Sequence, residues 1–349
     1  MRLTDMKISE RENYLRAIEF RNPLWIPCSM VLAPICWYTY REKLEEIVLR
    51  HPMIFGEYKK GSIDFDKFDP VYKKGYFRDN WGCLWYTPQD GLEGQVIESP
   101  LEDWKAFDKY KAPDFNKLEE RSERDWGKIK SFINERKQKG LLTVGGGERL
   151  FDRLYFLRGF ENLMIDIATD HPKLPLLIEM LLEYELGLVK KWLEIGVDVI
   201  GFHTDIGTQT SLMISPASFR KYIKPMFKEI FTLIRNAGTH VNLSSDGRLL
   251  EIVDDLVECG VSMHDPQFRA NTIEGIKKTY KDKMCVNLDL DRQMFPFCKP
   301  EDIYAQVEEA KKELNYPKGG LMIQGSVFGT DVSLENIEAI CAALEKFCF

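Results

Sequence analysis

"LPLLIEMLLEYELGLVKKWLEIG" (174–196) runs directly into "VDVIGFHTD" (197–205), and this junction decides the fold. The first stretch is apolar at three- and four-residue spacing, the period of a helix with one buried stripe. The second is a short apolar run without polar alternation, the pattern of a strand covered on both faces. A helix feeding such a strand is half of a βαβ unit, and the sheet it builds is parallel. The same alternation continues in both directions. Upstream lies "LLTVGG" (141–146). Downstream come "THVNLSSDG" (239–247), "VSMHDPQ" (261–267), "KMCVNLDLD" (283–291) and "GGLMIQGS" (319–326), with helical stretches such as "SPASFRKYIKPMFKEIFTLIRNAG" and "PEDIYAQVEEAKKEL" between them. Adding "WIPCSMV" (25–31) gives seven strands, and an eighth is expected in the irregular region before residue 140.

No G-x-G-x-x-G opens any of these helices, so an open dinucleotide-binding sheet is the poorer fit. "GGG" at 145–147 precedes Glu148 but lacks that spacing. The expected architecture is α/β, a single distorted (β/α)8 TIM barrel over residues 1–349. Residues 141–349 form its main body. Residues 1–140 supply the first strand and an irregular N-terminal elaboration of β-ribbon and helix, read from the Gly- and Pro-punctuated "NWGCLWYTPQDGLEGQVIESPL".

Composition narrows the function classes. The chain is 44% hydrophobic and 30% charged, with a net charge of −7. That balance is a globular enzyme's, and it lacks the basic surface that nucleic-acid binding needs. No apolar run reaches the roughly 18–20 residues that cross a bilayer. The start, "MRLTDMKISERENYLRA", reads as an amphipathic helix without a signal core. The eight cysteines include no C-x-x-C pair, so reduced thiols and a cytoplasmic location are expected. A homodimer is left open.

A barrel places its active site at the C-terminal ends of its strands. Those ends carry Glu148, then His203 and Asp205, then Ser244 and Asp246, then His264, Asp265 and Gln267, then Asp289 and Asp291, then Gln324 and Ser326. Two of five histidines fall in this set. Each residue also has a plainer reading. Asp205 and Asp246 precede "SPASF" and "RLLEIV" and could be helix caps, and a buried His held by backbone would account for one histidine. Aromatic residues follow the first strand (Trp37, Tyr38, Tyr40) and recur at Trp81 and Trp85. They suit either a flat aromatic ligand or ordinary packing.

Longer stretches carry a resemblance. "ERENYLRAIEFRNPLWIP", "DNWGCLWYTPQDGLEGQVIESPLEDW", "FHTDIGTQTSLMISPASFRKYIKPMFKEIF", "AGTHVNLSSDG", "DLVECGVSMHDPQ" and "GGLMIQGSVFGTDVSLENIEAI" together resemble the uroporphyrinogen decarboxylase superfamily over nearly the whole chain. The resemblance implies a distorted (β/α)8 barrel and one of two chemistries: decarboxylation of uroporphyrinogen, or corrinoid-dependent methyl transfer. The decarboxylase branch holds its polycarboxylate substrate with an Arg-rich motif after the first strand. Here that stretch is "LWIPCSMVLAPICWYTY" (24–40), with no Arg before Arg41. The branch that methylates coenzyme M activates a thiol on zinc held by His-x-Cys and a distant Cys. Here those positions read Ser244, Asp246 and Ser326, and no thiolate is offered.

What the resemblance leaves is the O-demethylase methyltransferase type, which strips a methyl group from a small donor. The expected donor is an aryl methyl ether, and the acceptor is cob(I)alamin, becoming methylcobalamin, on a separate corrinoid protein. Expelling a phenolate, whose conjugate acid has a pKa near 10, calls for a proton donor or a Lewis acid at oxygen. Asp246, His203, Asp205 and His264 are the expected catalytic groups. Glu148, Asp289, Gln324, Trp37 and Tyr38 are the expected substrate contacts. Oxygen and imidazole ligands also leave room for zinc without the usual His-x-Cys and Cys set, and the metal, if any, is unknown. Three other readings stand beside this one: a methylamine- or betaine-type corrinoid methyltransferase, a uroporphyrinogen decarboxylase-like protein, and a non-catalytic binding relative.

Overall fold

The computed structural model describes residues 8–117 and 124–349. The chain forms two compact units. One consists of Phe77–Trp85 and Val96–His264. The other consists of the residues up to Tyr76, Tyr86–Gln95 and Asp265–Phe349.

The unit ending at His264 carries four parallel strands: β5 (Val144–Gly146), β6 (Val199–His203), β7 (His240–Ser244) and β8 (Met263–His264). Gly146 pairs with Gly201, Gly201 with Asn242, His203 with Ser244, and Leu243 with His264. Alternate residues therefore share a face. Ile200, Phe202, Val241 and Leu243 are fully buried on one face, and Phe202 meets Phe231 of helix Lys224–Asn236 with ring centroids 5.0 Å apart. On the opposite face lie Val144, Gly146, Gly201, His203, Asn242 and Ser244, and of these Val144, Gly146 and His203 are exposed.

Helix Leu174–Ile195 follows from its stripe. Leu174, Leu177, Ile178, Leu181, Leu182, Leu188 and Val189 are buried at helical spacing. Gly196 ends it in the left-handed region (φ 83), donating its N–H to the Trp192 carbonyl at 2.9 Å. The glycines of "VGGG" serve close approach. A Cβ on Gly145 would lie 2.6 Å from the Trp192 ring, and one on Gly147 would lie 2.2 Å from the Phe202 ring. The Trp192 helix and the neighbouring strand can come this close only where side chains are absent.

The other unit carries β1 (Cys28–Leu32), β9 (Cys285–Asp289) and β10 (Leu321–Val327), parallel in the order β1-β10-β9. Helix Pro34–Arg50 follows β1, kinked at Arg41 (φ 49, ψ −128). Helix Pro300–Leu314 follows β9, and Leu334–Cys348, capped by Ser333, follows β10.

Seven parallel strands among the described residues, each giving way to helix, make this an α/β protein of the TIM-barrel kind. They are the seven read from the sequence. The expected eighth is not among them. The irregular region instead forms a separate three-stranded sheet in the order β2 (Gly75–Arg78), β3 (Leu84–Thr87), β4 (Gln95–Glu98). β2 alternates between inner and exposed positions, β3 exposes Tyr86 and β4 is exposed except at Val96, so they make a ribbon with a wet face and not a doubly covered barrel strand. No helix among the described residues is long and apolar enough to cross a membrane.

Candidate functional site

Three chain exits lie side by side in the unit ending at His264. After β5 the chain passes Glu148 into helix Leu150–Arg158. After β6 it passes Thr204 and Asp205, and after β7 Ser245 and Asp246. Side chains stitch these exits together. The Thr204 hydroxyl, fully buried, accepts the amides of Phe151 at 2.8 Å and Asp152 at 3.2 Å. It thereby caps a helix from another strand's loop. Asp152 Oδ1 accepts the Asp205 amide at 2.8 Å and the Thr204 hydroxyl at 3.4 Å. Asp205 Oδ1 in turn accepts the Asp246 amide at 2.9 Å. The result is a ladder, Asp152–Asp205–Asp246, in which each carboxyl fixes the backbone of the next.

The helix-cap readings of Asp205 and Asp246 find no helix. The short helix Pro216–Ser218 is capped by Ser215, and the turn Leu250–Ile252 starts from Leu249 without any side-chain cap. Asp246 is exposed and Asp205 half-buried at the strand ends.

Asp152 was not singled out by the sequence. Burial, then the neighbouring Asp205 charge, push its carboxyl up to about 7, against the pull of the Asp205 amide and Tyr155 hydrogen bonds. A carboxyl that still holds its proton near neutrality is what acid catalysis needs. The position was legible only as the third residue of an apolar helix, "LFDRLYF", where an aspartate reads as a first-turn charge.

Glu148 is held from several sides. Oε2 accepts the Trp81 indole N–H at 2.8 Å, and Oε1 accepts Arg153 Nη2 at 3.2 Å and the Arg149 amide at 2.8 Å. Arg153 Nη1 also pairs with buried Asp79 at 2.7 Å, and its guanidinium lies over the Trp81 ring. Behind Glu148 sits Glu185, fully buried in helix Leu174–Ile195. Its Oε2 accepts the Glu148 amide at 2.9 Å, while its Oε1 has no hydrogen-bond partner among the described residues. Burial pushes Glu185 up to about 8, so it is neutral at pH 7. Nothing in the apolar "LLEYELGL" stripe marked it.

The two histidines separate. His203 is exposed and paired in register with Ser244. His264 pairs with Leu243, which puts it on the face that helices cover, and it is fully buried. Burial pushes it down to about 3 against a hydrogen bond to the Ser245 backbone. Its ring is neutral at pH 7 and braces the exit loop of β7, whereas His203 stands exposed at the end of β6.

The other unit holds the remaining candidates. Asp289, buried at the end of β9, accepts the Ser326 hydroxyl at 3.0 Å. Gln324 Nε2 donates to Ser326 Oγ at 3.2 Å, and Asn287 Nδ2 donates to Gln324 Oε1 at 3.3 Å. Trp37 stacks with Tyr58 and Phe65, with centroids 6.2 and 6.3 Å away, which binds the segment after Gly56 to its helix. Tyr38 meets Phe68 edge-on and is 36% exposed.

Among the described residues, no three His, Cys, Asp or Glu side chains are grouped so as to hold a metal ion. Cys259 and Cys285 are buried.

Residues 87–347 match the family model described as Uroporphyrinogen decarboxylase (URO-D). Among solved structures, a methyltransferase from Methanosarcina mazei superposes with a TM-score of 0.69 at 16% identity, over 98% of this chain and 99% of that one. A 3-keto-D-glucoside 4-epimerase from E. coli gives 0.40 at 14% identity, over 64% of this chain and 84% of the other. A dihydropteroate synthase from Xanthomonas albilineans gives 0.37 at 13% identity, over 59% and 69%. No curated protein matches the sequence.

Proposed function

The chain belongs to the uroporphyrinogen decarboxylase family, and from the carboxyl ladder it carries we propose that it is a methyltransferase that demethylates an aryl methyl ether. The methyl group goes to the cob(I)alamin of a separate corrinoid protein. The similarity to a protein named as a methyltransferase supports the direction of this reading. So does the apolar stretch after β1, which offers no guanidinium before Arg41 to a polycarboxylate.

The single observation that carries the reading is the Asp152–Asp205–Asp246 ladder, with Asp152 pushed up to about 7. Where the resemblance implies thiolates this chain carries Asp246 and Ser326, so we take the activated atom to be an ether oxygen and not a thiol sulfur. Bound in its partner, the corrinoid supplies the nucleophile. This chain supplies the help at the leaving oxygen. Asp246, exposed at the tip, is assigned the contact with that oxygen: as the methyl–oxygen bond breaks, its carboxyl gives a proton to the leaving oxygen and takes one back from solvent. Asp205 fixes the Asp246 backbone, and the buried Asp152 keeps a proton beside Asp205 near pH 7. His203, on the same face, is the second group able to donate there. Glu148 is held rigid by Trp81, Arg153 and the neutral Glu185, which suits a positioning wall better than a proton carrier.

The test is direct. Purified protein is mixed with reduced cob(I)alamin and guaiacol or veratrole, and the absorbance change to methylcobalamin is followed. Methyl transfer dependent on the protein supports the reading. Folded protein that transfers no methyl group from either ether overturns it.

A further inference from the structure

The loops that leave β9 and β10 border an open cavity of about 370 Å³ at the C-terminal ends of these two neighbouring strands. Ligand sites of small molecules start near roughly 300 Å³, so the space is large enough for a single aromatic ring with substituents. Its walls include Phe297 and Phe328, which are 88% and 49% exposed. Two phenyl rings left in water beside one cavity mark a surface made to be covered.

The charged lining restricts what covers it. Arg292 lies over the Phe328 ring, 5.1 Å from its centroid, and its Nε stands 3.9 Å from Asp289 Oδ2, an ion-pair distance longer than a hydrogen bond. The guanidinium thus lies over an aromatic wall, and its N–H donors are of the kind that binds a carboxylate. On another part of the lining, Asp331 is exposed. A ligand with one negative end and an apolar body can put its charge on Arg292 and keep away from Asp331. A dianion or polyanion meets Asp331 as well, and a quaternary ammonium meets Arg292 already seated on the ring it would need.

We propose that this cavity binds a planar aromatic monocarboxylate, with its carboxylate on Arg292 and its ring between Phe297 and Phe328. The assignment rests on the cavity alone and does not depend on the methyl-transfer reading.

The probe is benzoate, titrated into the full chain by calorimetry at low ionic strength, with benzamide, inorganic phosphate and choline as competitors. Saturable benzoate binding is expected, with benzamide at least tenfold weaker and neither phosphate nor choline displacing it. Arg292→Gln should weaken benzoate at least tenfold, and Arg292→Lys, which keeps charge but loses the fork, by less. Phe328→Leu should weaken it several-fold, and Asp331→Asn should tighten it. Because Arg292 also faces Asp289, circular dichroism checks each variant, and Asp331→Asn and Phe328→Leu serve if Arg292→Gln does not fold. Absence of benzoate binding at millimolar concentration, equal binding of benzamide, or an Arg292→Gln affinity matching wild type overturns the proposal.

Discussion

Asp205 Oδ1 receives the backbone amide of Asp246 at 2.9 Å, so the loop that ends β7 is anchored on the carboxylate that ends β6. Anchoring by side chain rather than by ladder hydrogen bonds continues past the strands, where the sheet itself stops. Asp205 is in turn tethered by its own amide to Asp152, in the first turn of the helix after β5. The loops after β6 and β7 are thus set by carboxyls, and carboxyls positioned by backbone amides hold their geometry without the mobility of a long surface side chain.

Asp246→Asn should slow methyl transfer from unactivated aryl ethers by roughly 10²–10⁴-fold, the usual worth of a positioned general acid. The side chain is exposed and caps no helix, so stability should change by no more than about 1 kcal/mol. Nitro-substituted anisoles, with better leaving groups, should lose less rate. Stopped-flow methylation of cob(I)alamin and a thermal melt measure both quantities, and wild-type speed in the variant would move the role to His203.

Asp152 gives the site a pH signature. With its carboxyl pushed up to about 7, the protonated form falls away as pH rises through that value, and methyl transfer should fall with it. Asp152→Asn keeps an oxygen for the Asp205 amide but cannot titrate, so its rate should be lower at pH 6 and flat from 6 to 8. Asp205→Asn removes the charge that helps to raise Asp152, and the inflection should move to lower pH. An unshifted inflection in Asp205→Asn would show that burial alone sets it.

The fold was legible because it is written in apolar runs. All seven parallel strands lie within the apolar stretches read from the sequence, bar the last residue of β1 and of β10, and the glycines of "VGGG" mark where Trp192 presses on β5 and Phe202 on the residue just after it. The eighth strand was inferred from the closure of a barrel and not from a run, and there the chain makes a ribbon. In the site, Asp205 and Asp246 could be found from strand ends. Asp152 and Glu185 could not, since their chemistry comes from burial and from neighbours over 30 residues away in the chain: Asp205 for Asp152 and Glu148 for Glu185. The parity of β8, only two residues long, turns His264 to the helix-covered face, and so short a strand shows no alternation to read.

Glu185 should make the protein less stable in mild alkali. Its folded value, about 8, lies above the unfolded glutamate value near 4.3, so the native state binds more protons between those limits. Stability from this group is fully present below about pH 4, is lost at up to about 1.4 kcal/mol per unit as pH rises, and levels off above 8. Glu185→Gln should flatten that slope in chemical-denaturation curves and stand above wild type at pH 8. A wild-type curve with the same slope as the variant would place the Glu185 carboxylate in an ordinary ionised state.

The two histidines should separate by what each substitution damages. His203 is exposed, so His203→Gln should leave the melting temperature within a few degrees while lowering methyl transfer. His264 is fully buried, pushed down to about 3 and tied to the Ser245 backbone, so it offers no proton at pH 7. His264→Gln must refit an amide into a space shaped for a ring and remake that bond, at a cost of about 1–3 kcal/mol. Folded His264→Gln protein, measured well below its melting temperature, should keep its rate within several-fold and keep the wild-type pH profile. The reason is that Ser245 only borders the ladder: its hydroxyl accepts the Ile206 amide at 3.1 Å, and Asp246 keeps its anchor on Asp205. A His264→Gln protein that melts normally yet loses the rate would assign proton transfer to a ring on the covered face and remove it from the carboxyl ladder.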